Sequence, residues 1–282
     1  MADATPEPEA TFRPVAGQPL VGRVAVVTGS STGNGRAIAL ELAAAGAKIV
    51  CSDVRKSGHP DAVEDDIEID TDDLIVKRGG EAHYRATNVA EESDVEALAD
   101  EARATFGRLD IWVNNAGVGT SGSITESSLE DFNRMLAVNV AGVWLGCRAA
   151  VRVMRLQERI GRSLGHIINM GSVAGEVGQG GLTSYATSKG AVHTLTRELA
   201  IELAPEYINV NAIAPGYFNT TALNKPIRDD LALTALVEAK HAWPDMAPTR
   251  DLGRAAVFLA SEDSAWITGS ILAVDGGLLA KK

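Results

Sequence analysis

The 282-residue chain is poor in cysteine and in aromatic residues: it has two cysteines, Cys51 and Cys147, and 5% aromatics. Each cysteine lies in a run that reads as buried strand or helix, so both are expected as small core residues in preference to a disulfide pair. The five histidines form no His-Glu-x-x-His pattern and the cysteines no Cys-x-x-Cys pair, so no metal site is implied. Positive charge is also in deficit. With 26 Lys and Arg against 37 Asp and Glu, the formal net charge is -11. A chain of that sign repels polyphosphates and anionic lipid surfaces, so neither nucleic acid nor membrane is expected as a main partner. No run of about 18 uninterrupted apolar residues occurs. Residues 1–20 are acidic, carry four prolines and lack the basic start and apolar run of a secretion signal; they read as a loose arm, with a cytoplasmic location as the default.

What is present is enough for one buried core over 21–282, since 45% of residues are hydrophobic and 22% charged. From Arg23 on, short β-branched runs alternate with stretches of helical period: RVAVVT, then GRAIALELAAAG, then AKIVCSD. That order is a β-α-β unit, which requires a crossover and a parallel sheet. EAHYRATN, LDIWVNNAG, HIINMGS, INVNAIAP and SILAVDGG continue it as further strands, with a long helix over 127–156 and another from about Thr183. Runs as continuously apolar as VAVV belong in a sheet covered on both faces. The expected class is α/β, a single doubly wound domain with about seven parallel strands. Two segments break the rhythm: 54–80, long and acidic, reads as a surface insertion, and 217–250, with Trp243, Pro244 and Pro248, as a substrate lid.

Between the first strand and first helix lies Thr28-Gly29-Ser30-Ser31-Thr32-Gly33-Asn34-Gly35. Glycines there permit a tight turn and let backbone N–H groups approach a pyrophosphate at the positive end of a helix, as in Rossmann-type domains. Asp53 ends the second strand, where an acid hydrogen-bonds the hydroxyls of an adenosine ribose and repels a 2′-phosphate. NAD is therefore expected over NADP. Read singly, the glycines also fit a purely conformational turn and Asp53 a solvated strand end.

The spacing T-G-x-x-x-G-x-G, Asn114-Asn115-Ala116-Gly117 after the fourth strand, and Tyr185-Ala-Thr-Ser-Lys189 together resemble the short-chain dehydrogenase/reductase family, over about Val21 to Gly277. Asn139, Ser172, Pro215-Gly216 with Thr220, and Val274-Asp275-Gly276-Gly277 extend the likeness. The resemblance implies that Gly29, Ser31, Thr32, Gly33, Asn34, Asp53, Asn88 and Val89 hold the cofactor. It also implies that Asn115, Ala116 and Gly117 line its adenosine side, and that Pro215, Gly216, Phe218 and Thr220 meet its nicotinamide end. It implies a catalytic set of Asn139, Ser172, Tyr185 and Lys189, with Asn139 keeping a water between Lys189 and solvent, and a homotetramer. Asn34 stands where the family usually has an aliphatic residue and Asn88 where many members have aspartate. The 54–80 segment is loosely similar to the insertion of a carveol-dehydrogenase-like subset.

Tyr185 and Lys189, four residues apart in a helix, share one face. Interconverting a ketone and a secondary alcohol needs a proton moved at oxygen as hydride moves at carbon. Free tyrosine titrates near 10, and lowering that by about 3 units takes roughly 4 kcal/mol. One cation about 5 Å away supplies roughly 3 kcal/mol at an effective dielectric of 20, before desolvation takes its share. Lys189 with an oxidised nicotinamide is thus expected to bring Tyr185 toward neutrality, while Ser172 holds the substrate oxygen. Tyr217, Phe218, Leu223 and Trp243 suggest an apolar lid, with Glu176 and Gln179 addressing a hydroxyl. The expected function is NAD-dependent oxidoreduction of a small-molecule alcohol or ketone. A non-catalytic NAD-binding regulator would keep the glycine loop without reason to assemble Ser172, Tyr185 and Lys189.

Overall fold

Residues 24–28 read Val-Ala-Val-Val-Thr and all five are buried, because side chains alternate across a strand and both of its faces are covered. In the computed structural model, which describes residues 17–119, 121–218 and 224–281, this segment is β1 (Val24–Thr28). The other strands are β2 (Lys48–Asp53), β3 (Ala82–Ala86), β4 (Ile111–Asn114), β5 (Gly165–Met170), β6 (Ile208–Pro215) and β7 (Ile271–Val274). The helices are α1 (Gly33–Ala44), α2 (Thr71–Lys77), α3 (Glu92–Phe106), α4 (Leu129–Leu136), α5 (Gly142–Met154), α6 (Thr183–Leu203), α7 (Lys225–Arg228), α8 (Leu231–Glu238) and α9 (Thr249–Ala260). All seven strands pair in parallel in the order β3-β2-β1-β4-β5-β6-β7. The expected doubly wound sheet is thus present.

Alternation divides the core in two. Ala25, Val27, Ile49, Cys51, Ile111, Val113, Ile168 and Ile213 face α1 and α9. Val24, Val26, Val50, Trp112, Ile167 and Val210 face α3, α5 and α6. Fully burying a side chain of this size contributes about 1.5–3 kcal/mol, so both layers hold the sheet. Cys51 and Cys147 are buried and unbridged, one in each layer. The strand order reverses direction between β1 and β4, and a crevice at the carboxyl ends of such strands is where doubly wound sheets bind ligands.

Three segments differ from expectation. The helix expected over 127–156 is α4, capped where the Ser128 hydroxyl accepts the Asp131 N–H at 3.0 Å, then a π turn at Ala137–Ala141, then α5. This 26-residue stretch is long and apolar enough to cross a bilayer, yet 56% of its most apolar window is buried inside the fold. Leu20 is fully buried and its N–H bonds Ala45 O at 2.9 Å, so the folded region begins before Val21. Segment 54–80 is not confined to the surface: α2 buries Leu74 and Ile75, and the buried Arg36 of α1 donates to Asp66 O, Ile69 O and Thr71 Oγ1.

Candidate active site

The glycine loop leaves β1 and turns at Gly29 and Gly33, whose φ angles of +67° and +62° lie in the left-handed region. At Gly35 a Cβ would collide with Gly29 O and the Asn115 side chain, so only glycine lets α1 start this close to the strand ends. That cradle, with the first N–H groups of α1 unpaired within the helix, fits a dinucleotide pyrophosphate. Asn115 braces the turn instead of presenting its side chain to a ligand: Nδ2 donates to Thr28 O at 2.9 Å and Gly29 O at 3.1 Å. Ser31 gives its hydroxyl to Arg55 O at 2.7 Å.

Asp53 sits where the adenosine ribose is expected, its carboxylate accepting from Ser31 N–H at 3.3 Å and Val54 N–H at 2.7 Å. Burial raises its pKa against those bonds. Of the two cations that follow it, Arg55 acts on Asp53, whereas Lys56 is held by Asp72 at 3.1 Å and Asp73 at 3.0 Å. Asn88 accepts from Ala90 N–H at 3.1 Å, and Val89 packs against α5 beside Gly142.

On the other side of the crevice, α6 carries Tyr185 and Lys189 past the end of β5. Lys189 Nζ donates to Met170 O at 2.7 Å and lies 5.6 Å from the centre of the Tyr185 ring. Ser172 caps the next turn, accepting Ala174 N–H at 3.1 Å, and lies close enough to the Tyr185 phenol to oppose the rise of its pKa. Asn139 lies fully buried in the π turn; it bonds Val118 through both N–H and carbonyl at 2.9 Å and donates to Ser188 Oγ at 3.1 Å. A Cβ on Gly117 would lie 3.3 Å from Asn139 Oδ1 and 3.8 Å from Lys189 Nζ, so β4, the π turn and α6 converge on one point. Burial pushes Lys189 down to about 8 and raises the Tyr185 phenol, with Ser172 opposing and Tyr217 adding to the rise. In the protein by itself desolvation of the phenol outweighs the opposing effect of Ser172, so the lowering expected of Tyr185 calls for the oxidised nicotinamide as well.

The roof of the site is partly as expected. Tyr217 donates to Gln179 Oε1 at 2.5 Å, and Lys240 Nζ lies 3.4 Å from the Tyr217 hydroxyl. Trp243 is exposed, whereas Phe218 is buried in the core layer of α1 and α9. Glu176 does not reach toward a substrate; it pairs with His193 at 3.0 Å and Arg197 at 3.5 Å. Gly216 follows β6, where a Cβ would lie 2.9 Å from Asp275 Cα, and Pro215 is the last residue of that strand. Thr220 and Leu223 lie outside the described residues.

Two contributors carried no sequence signal. His193 is buried behind Ser172, accepting its N–H at 3.4 Å. Beneath the site, Asn114 Nδ2 donates to Asn169 Oδ1 at 2.9 Å and Asn169 Nδ2 to Thr196 Oγ1 at 3.0 Å, tying β4 and β5 to α6. Asn114 belongs to the quoted motif, but its partners are distant in sequence.

A dinucleotide cradle facing a Ser-Tyr-Lys cluster across the switch point defines an α/β oxidoreductase. Residues 29–279 match a family described as Enoyl-(Acyl carrier protein) reductase. The 5-keto-D-gluconate 5-reductase of Escherichia coli is 35% identical over 92% of this chain and 96% of its own length. The 3beta-hydroxysteroid dehydrogenase 1 of Eggerthella lenta is 36% identical over 92% and 94%. A crystal structure of a gluconate 5-dehydrogenase from Burkholderia cenocepacia, in complex with NADP and tartrate, superposes with a TM-score of 0.83 at 33% identity over 94% of this chain and 98% of that one. The chain belongs to the short-chain dehydrogenase/reductase family and is an oxidoreductase.

Proposed function

We propose that the protein interconverts a secondary alcohol and a ketone with NAD as the preferred cofactor. The observation that carries this reading is the convergence of Ser172, Tyr185 and Lys189 beside Gly117. A nicotinamide bound there would supply the hydride acceptor or donor and, when oxidised, a positive charge. Ser172 holds the substrate oxygen; Tyr185 moves the proton at that oxygen; Lys189, fixed by Met170 O, orients the phenol's surroundings and carries positive charge below about pH 8. The preference for NAD rests on Asp53, which would repel a 2′-phosphate beside the loop, and on Lys56 being held by Asp72 and Asp73, which leaves Arg55 as the nearby cation against that reading. Gln179, Tyr217 and Lys240 at the mouth favour a substrate with further hydroxyls or a carboxylate over a purely apolar one.

The test is reduced-nicotinamide absorbance with NAD or NADP against sugar acids, diols, simple secondary alcohols and hydroxysteroids. Turnover is expected with NAD, highest on a hydroxylated acid, and about 10²–10⁴-fold lower in Tyr185→Phe. Equal turnover in that variant would remove Tyr185 from the chemistry, and a preference for NADP would overturn the reading of Asp53.

A further inference from the structure

The donors of the glycine loop already have an internal partner. Glu64, from the stretch between β2 and α2, accepts the Gly33 N–H with Oε1, and the Thr32 hydroxyl donates to the same oxygen at 3.3 Å. Its other oxygen lies 3.5 Å from Arg36 Nε, and the side chain is only 8% exposed. Thr32 and Gly33 are the cap and first residue of α1, whose N–H groups are the ones a pyrophosphate uses.

The position of Glu64 is built and not incidental. Arg36 is itself buried and fixed by Asp66 O at 2.7 Å, Ile69 O at 2.9 Å and Thr71 Oγ1 at 3.1 Å, so the strap, the stretch between β2 and α2 that carries Glu64, is anchored to α1 just after Glu64. Farther out, the Asp61 carbonyl accepts from Arg228 of α7, so the strap also meets the segment that roofs the substrate side. Burial raises the Glu64 carboxyl pKa, and the Gly33 N–H, Arg36 and the Thr32 hydroxyl only partly offset it.

We infer that Glu64 is a residue of the dinucleotide site: its carboxylate holds the Thr32 and Gly33 donors and exchanges places with the cofactor's pyrophosphate, so that the strap sets cofactor affinity. Two anions cannot share one donor set without strong repulsion, and loading the cofactor therefore requires the Glu64 carboxylate to swing off the loop. The inference rests on the reading of this loop as a dinucleotide cradle.

The experiment is NADH titration of the full chain by fluorescence and calorimetry, comparing wild type with Glu64→Gln and Glu64→Ala, together with hydrogen exchange before and after NADH addition. Arg36 keeps three neutral acceptors in both variants, and thermal melting verifies that each folds. Expected are an NADH Kd at least about tenfold lower in both variants, and faster exchange over residues 60–68 of wild type once NADH is added. An unchanged Kd would overturn the inference while the dinucleotide reading stands. A higher Kd would also overturn it, making Glu64 a clamp on bound cofactor. If neither wild type nor variants bind NADH or NADPH, the dinucleotide reading falls and the inference with it.

Discussion

Burial acts in opposite directions on the two ionisable members of the catalytic cluster. It disfavours the phenolate of Tyr185 and the ammonium of Lys189, because each charged form loses solvation. Alcohol oxidation needs Tyr185 as a base, so its kcat/KM is expected to rise with pH into the alkaline range. Ketone reduction needs the same group as an acid and is expected to fall there. Lys189→Met, which removes the nearby cation, is expected to move both limbs to higher pH. Paired pH–rate profiles in the two directions check this; a flat profile for oxidation would count against Tyr185 as the titrating base.

The elements that bear the site are locked by polar groups inside the core. The Asn114–Asn169–Thr196 chain crosses from β4 through β5 to α6, the helix of Tyr185 and Lys189. Asn114 Oδ1 also accepts the Trp112 indole N–H at 2.7 Å, and the Thr196 hydroxyl donates to Val192 O at 2.8 Å. Removing one member leaves buried donors and acceptors unpaired. Asn169→Leu is accordingly expected to cost about 1–3 kcal/mol in urea-induced unfolding, more than an apolar swap of similar size at Ile167. The π turn has a related role: it is the break in the long helix at which Asn139 meets Val118 and Ser188. Such breaks recur at functional sites because regular helix would turn the side chain elsewhere.

At the scale of the whole molecule, stability depends on groups far from the crevice. His166 of β5 is buried near Arg23, and both burial and that cation lower its pKa to about 4. An unfolded chain protonates it near 6.5, so between these values the unfolded state binds the extra proton. Stability from this group is full above about 6.5 and lost progressively as pH falls toward about 4, by roughly 3 kcal/mol in all. Chemical unfolding across that window, with His166→Leu as the control that flattens the slope, measures it. Assembly is a second whole-molecule property. Edge strand β7 is only half-buried and Trp144 of α5 is exposed, both open to a partner; for the homotetramer that the family resemblance implies, which we propose here, sedimentation equilibrium is expected to return four times the 29.5 kDa chain mass.

The sequence by itself determined the parallel sheet, the glycine turn and the Tyr185–Lys189 pair, because each is local: strand alternation, positive φ and a four-residue helical spacing are all written over a few neighbouring residues. The ranges of β5, β6 and α6 follow from the same periodicity. Only tertiary structure decided what long-range contact controls. It placed Glu64 on the loop 31 residues before it, set His193 behind Ser172, buried Phe218, and turned Glu176 toward α6. It also set the burial that raises the Tyr185 phenol, since desolvation depends on everything packed around a group, whereas spacing in the sequence reports only what lies along the chain.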